Sequence, residues 1–251
     1  MSNQKPENST EELNHRDNAR LTMDFIHRLM MHHAMWYAEV ERELGRDKAQ
    51  KVLRAVYERS SEIQLKKLSK TLGFDLEENL PAPLLNLTAE ALNELKKTIA
   101  VNWLANDGVW FQAVEFSLGM TEAKKCNDSC WSHFSPFEAW SIKRHLGLPE
   151  NSGLDGLKQA LDFRLYAAIN TQSFSEETEN DFVFKMNDCR VQSARKRKGL
   201  ADYPCKSAGV IEYSTFAESI DSRIKTLCIG CPPDPHPEEW YCAWRFSLEK
   251  Q

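Results

Sequence analysis

Apolar side chains recur at three- and four-residue intervals early in the chain, where Leu21, Phe25, Ile26, Leu29, Met30 and His33 form one stripe. That period predicts a long helix, broken at Gly45 and resumed over residues 51–72 by Val52, Leu53, Val56, Tyr57, Ile63 and Leu68. The two make a helical hairpin ending before Gly73. Residues 74–86 contain two prolines and no period, so they read as a connection. Thr88 then supplies a capping oxygen, with Glu90 in the first turn of a helix that runs to Gly119. That helix is rich in aromatic side chains: Trp103, Trp110, Phe111 and Phe116. Residues 136–145 and 154–162 read as two further short helices.

The pattern changes near Phe163. Residues 164–174 and 181–187 read as two strands of a hairpin around the polar turn SEETEN. Residues 189–220 return to helical spacing with interruptions at Gly199 and Pro204, and residues 224–229 and 240–248 read again as strands. The order β-β-α-β-β predicts a four-stranded antiparallel sheet with a helical face. The expectation is therefore an α+β fold in three parts: a flexible polar tail over 1–15, a helical region over 16–162, and a cysteine-rich α+β module over 163–251.

With 251 residues, 41% of them hydrophobic and 27% charged, the chain has the composition of a globular protein that buries a sizeable core. A formal net charge of -5 supplies no general attraction for nucleic acid or anionic lipid. No stretch approaches the roughly 18 apolar residues of a membrane helix, and the polar N-terminus has neither a signal core nor a transit-peptide pattern. A cytoplasmic protein with no nucleic-acid or membrane partner is expected. In that compartment seven cysteines read as thiols, metal ligands or redox groups before disulfides. Dinucleotide-binding, P-loop, serine-hydrolase and zincin motifs do not occur.

Five of the cysteines, Cys189, Cys205, Cys228, Cys231 and Cys242, fall in the last third. The C-I-G-C spacing of Cys228 and Cys231 suits a turn that presents two thiolates to one ion, with Cys189 and Cys205 as the other corners and Cys242 in reserve. Buried free cysteines also pack as small apolar side chains. The stiff segment after the pair has four prolines in residues 232–240 and carries Asp234 as a candidate base and His236 as a candidate ligand or proton carrier. Arg190 and Arg195 stand in a basic helix beside Cys189 and could receive an anion, although such a face is also commonly solvated. Trp110, with Trp103, Trp131 and Trp140, could line an apolar pocket or simply fill the core. Cys126 and Cys130, four apart with His133 near, are a weaker candidate for a second metal site, and His32 and His33 sit on an apolar helical stripe.

Three stretches of the C-terminal third carry a resemblance: CRVQSARKRKGLADYPCK from Cys189, FAESIDSRIKTLCIGCPPD from Phe216, and YCAWRF from Tyr241. Cys189, Lys196, Gly199, Cys205, Arg223, Thr226, Cys242 and Trp244 occur in the order of a pattern that resembles the L-2-amino-thiazoline-4-carboxylic acid hydrolase family and an uncharacterised neighbour. The element order and cysteine layout are also similar to the 4-vinyl reductase domain, a small-molecule-binding module that holds zinc through cysteines in some sensors. Cys205, Cys228 and Cys242 correspond there, whereas Lys225 stands where those sensors have a glutamate, and Ser207 and Gly209 stand near the place of the hydrolase acid. The resemblance implies a metal-dependent hydrolase of a small carboxylated cyclic amide or amidine, with metal-bound water as nucleophile. The alternatives are a small-molecule-binding module with a structural zinc ion, or a redox-associated protein with an iron–sulfur cluster.

Overall fold

A computed structural model describes residues 13–199 and 201–248; most of the tail expected to be flexible lies outside them. The chain divides into two compact units, with the boundary at Asn79 and Leu80.

In the first unit, α1 (His15–Leu44) starts at Asn14, whose side chain accepts from the Asp17 amide at 3.0 Å. Helix α2 (Arg46–Leu72) follows Gly45 directly, so the expected hairpin forms, and Gln50 Nε2 donates to Tyr37 Oη across it at 3.2 Å. Gly73 ends α2 in the left-handed region at φ 73°, a conformation glycine reaches at little cost. Ala49 is the one buried residue of the two helices. A two-residue strand β1 (Leu76–Glu77) completes the unit.

The second unit opens with β2 (Leu80–Pro81) and a single turn α3 (Ala82–Leu85). Helix α4 (Ala89–Leu118) is capped by Thr88, which accepts from Ala91 N at 3.2 Å. Helix α5 (Met120–Leu146) is continuous, with Pro136 inside it, and the short helix expected from residue 136 is its second half. Helix α6 (Gly153–Asp162) is amphipathic and buries Leu154, Leu157, Ala160 and Leu161.

The sheet consists of β3 (Thr171–Ser175), β4 (Asp181–Asp188), β5 (Ile224–Gly230) and β6 (Cys242–Leu248), with α7 (Arg190–Arg197) and α8 (Lys206–Ile220) between its two halves. Every pair is antiparallel and the spatial order is β3-β4-β6-β5. The α+β class and the β-β-α-β-β order are thus as expected. One expected strand is shorter: residues 165–168 form a 3-10 turn, because Glu138 accepts from both Leu165 N at 3.0 Å and Arg164 Nε at 2.9 Å and holds that backbone against α5.

Alternation puts Phe182, Phe184 and Met186 of β4, and Cys242, Trp244 and Phe246 of β6, on one face. Helix α8 covers that face with Tyr213, Phe216, Ala217 and Ile220 and packs in turn on α5 and α6. Asp221 ties three elements together at the end of α8. It accepts from Gly153 N at 2.9 Å, Arg223 Nε at 3.0 Å and Arg223 Nη2 at 2.7 Å, and the Arg223 hydrogen bonds hold its carboxyl down at about 2. No described helix is long and apolar enough to cross a membrane.

Candidate functional site

Helices α4, α5, α7 and α8 and the sheet enclose a cavity of about 320 Å³ in the second unit. Helix α4 contributes Leu104, Asp107, Gly108 and Phe111, which share one face by helical spacing. Helix α8 contributes Ala208, Gly209, Glu212 and Tyr213 by the same spacing, and strand alternation adds Cys242 and Trp244 from β6. Gln112, Met120 and Lys198 line the cavity and are exposed, which puts its mouth on their side.

The walls are aromatic. Trp131 stacks on Tyr166 with ring centroids 5.7 Å apart, Tyr213 stacks on Trp244 at 4.7 Å, and Phe111 meets Tyr203 edge-on at 5.3 Å. Gly209 permits this packing: a methyl group at its Cα would sit 2.8 Å from Trp244 Cζ2. Trp244 is fully buried, and its indole N–H has no hydrogen-bond partner; the buried Tyr203 hydroxyl has none either. Unpaired buried donors of this kind are rare in proteins and costly unless something fills the space beside them.

Beneath the cavity lies a buried ionic group. Arg164 pairs with Glu138 at 2.9 Å and Glu212 at 2.7 Å, and its guanidinium lies 4.7 Å from the Phe216 ring centre and 5.4 Å from that of Tyr213. Burial raises the Glu212 carboxyl to about 7 against the opposing pull of Arg164. Burial also raises Asp107, on the opposite wall.

Four thiols line the cavity: Cys189, Cys205, Cys231 and Cys242. Cys205 Sγ lies 3.5 Å from Cys231 Sγ and accepts from Gln192 Nε2 at 3.5 Å. The hydrogen bond from Cys231 lowers the Cys205 thiol, whereas Cys231 is raised through its bonds to Cys205 and Cys242. Burial pushes Cys189 up to about 12. Cys228 is absent from the wall. Residues 228–230 continue strand β5 instead of forming a turn, so Cys228 pairs with Trp244 in the ladder, and burial pushes its thiol up to about 11. The close group therefore exchanges the expected Cys228 for Cys242, which the β4–β6 register brings opposite Met186. Among the described residues, no group of three or more His, Cys, Asp or Glu side chains is arranged to hold a metal ion.

The other expected site residues lie elsewhere. Asp234 is bound to Lys206 Nζ at 2.7 Å, and His236 Nε2 meets Asp202 Oδ2 at 2.9 Å. Both clamp the proline-rich loop outside the cavity wall. Burial opposes protonation of His236, but the Asp202 hydrogen bond and charge, together with backbone hydrogen bonds to Pro237 and Trp240, outweigh it and leave the imidazole raised. Arg190 is exposed at the start of α7 and is not on the cavity wall. Arg195 does line the cavity, with its Nε donating to Ala201 O at 2.6 Å. Trp110, 55% exposed, lines a neighbouring space of about 310 Å³ with Cys126 and Cys130. Sequence reasoning missed Asp107, Glu138, Arg164, Gln192, Tyr203 and Glu212 as site residues. For Glu212 a signal existed, since it falls on the helical stripe of Cys205, Ala208 and Gly209.

These features define an α+β protein with an aromatic-walled, thiol-bearing internal cavity. The chain belongs to DUF6125, a family of unknown function, whose profile matches residues 85–248. No curated protein matches it in sequence. Among solved structures it is similar to the phenol-responsive sensory domain of the transcription activator PoxR with phenol, at 15% identity and a TM-score of 0.39, over 76% of this chain and 89% of that one. A likeness at that level bears on neither ligand nor activity.

Proposed function

We propose that this protein is a binding module for a small, neutral, planar molecule of one or two rings that carries a hydrogen-bond acceptor. The observation that carries this reading is the buried, unpartnered Trp244 N–H on the wall of an aromatic cavity. A volume of about 320 Å³ falls at the small end of the range for ligand pockets, roughly 300–1,000 Å³. Charge supports a neutral occupant. The buried cation, Arg164, is engaged by two carboxylates, while Glu212 and Asp107 face the space. Three acidic side chains, Asp107, Glu115 and Glu212, and two basic ones, Arg195 and Lys198, line the space, so an anionic ligand gains no net attraction there and the reading favours a neutral ligand over the carboxylated one suggested by the sequence.

Hydrolysis through metal-bound water draws less support. Asp234 and His236, its candidate proton carriers, are held in ion pairs outside the cavity wall. Benzamide is a suitable probe, because its carbonyl can accept from Trp244 and its amide can donate to Glu212. Calorimetric titration should give saturable binding to the unaltered protein and roughly three- to tenfold weaker binding to Trp244→Phe, which keeps the ring but removes the donor, in line with about 0.5–1.5 kcal/mol for one hydrogen bond. Equal affinity in the two proteins would reject Trp244 as the ligand's donor.

A further inference from the structure

The thiols of the cavity wall differ in what surrounds them. Cys205 occupies the N-cap position of the 15-residue helix α8 and makes no side-chain cap bond, so its sulfur sits at the positive end of the helix. Two groups converge on it: the Gln192 amide, which donates at 3.5 Å, and the Cys231 thiol, with the two sulfurs 3.5 Å apart. Gln192 is itself buried and fixed, donating to Tyr203 O at 2.9 Å and accepting from Tyr203 N at 2.8 Å. The backbone holds the two sulfurs together independently. Lys206 N donates to Pro232 O at 2.9 Å, and Lys206 Nζ meets Asp234 at 2.7 Å, so the start of α8 is fastened to the loop that carries Cys231.

We propose that Cys205 and Cys231 form a dithiol that hydrogen peroxide oxidises to a disulfide, with Cys205 as the attacking sulfur and Cys231 as the resolving one. The cavity gives the oxidant access to both sulfurs. In the first step the Cys205 thiolate attacks one peroxide oxygen. The O–O bond breaks, Cys205 becomes the sulfenic acid, and the departing hydroxide takes up the proton released by Cys205 to leave as water. In the second step the Cys231 sulfur attacks the sulfenic sulfur; the S–S bond forms and the hydroxyl leaves with the Cys231 proton as a second water. Two thiols and one peroxide thus give one disulfide and two waters, with two electrons passing from sulfur to oxygen. Closing the contact to a bond of about 2.05 Å needs a movement of about 1.5 Å. Because both sulfurs line the cavity, the bond draws the start of α8 and the end of β5 together at its wall.

The test uses the unaltered full chain with a stoichiometric amount of hydrogen peroxide, followed by thiol titration and peptide mapping without reduction. The expected result is the loss of two titratable thiols, a mass decrease of two hydrogens, and a cross-linked peptide joining Cys205 to Cys231, all reversed by dithiothreitol. In Cys231→Ser, Cys205 should accumulate as a sulfenic acid that dimedone traps, roughly tenfold faster than Cys126 is labelled. Oxidation confined to Cys126 and Cys130, a cross-link that persists in Cys205→Ser, or thiols that become titratable only after a chelator removes a bound metal would each overturn the proposal. The peptide map of the unaltered chain decides the matter even where a serine variant does not fold.

Discussion

Glu212 makes the stability of the fold depend on pH. Its folded carboxyl is raised from 4.5 to about 7 by burial, so the native state holds its proton more tightly than the unfolded chain. A raised carboxyl contributes stability that is fully present below about 4.5 and is lost as pH rises through about 7, by something on the order of 3 kcal/mol. Replacing Glu212 by Gln removes the ionisation while keeping the shape. Urea unfolding at pH 5 and pH 8 should therefore show the unaltered protein losing more stability between the two than the variant. Parallel curves for the two proteins would mean that Glu212 is not the titrating group. This residue was within reach of the sequence as a polar intruder on an apolar helix face. Its partner Arg164, on the turn after α6, was not, because only the folded chain brings residues 138, 164 and 212 together.

At the level of elements, α8 and β6 approach closely because Gly209 lacks a side chain. Trp244 cannot yield, being fully buried and stacked on Tyr213. Gly209→Ala should therefore cost about 1–3 kcal/mol in denaturant unfolding, the usual range for forced overpacking. Gly108, inside α4 with nothing within 4 Å of an added methyl, provides the contrast. Gly108→Ala should be neutral or stabilise by about 0.5–1 kcal/mol, the helix-interior difference between the two residues. Equal losses at both positions would contradict the packing described for α8. Most elements were legible in the sequence, because their signals are local: the Thr88 cap, the glycines at 45, 73 and 119, and the alternation of β4 and β6. What escaped was set by distant partners. Residues 165–168 left the strand pattern for Glu138 of α5, and Cys242 joined the thiol group through its register with β4, whereas Cys228 stayed in the β5 ladder.

For the molecule as a whole, the core cluster runs from Ala139 to Phe246, and the cavity lies among residues 104–244, all within the second unit. The family match over residues 85–248 spans the same region. The proposed binding site lies in this unit, and the preference proposed for it rests on charge: Asp107, Glu115 and Glu212 outnumber Arg195 and Lys198 on the wall, and the buried Arg164 is engaged by two carboxylates. Benzamide and benzoate have nearly the same shape and differ in charge, so comparing their dissociation constants by calorimetry at pH 7.5 tests the central claim most directly. Benzamide should bind at least roughly tenfold more tightly than benzoate, a difference of about 1.4 kcal/mol. Tighter binding of benzoate, or no binding of either, would contradict the account.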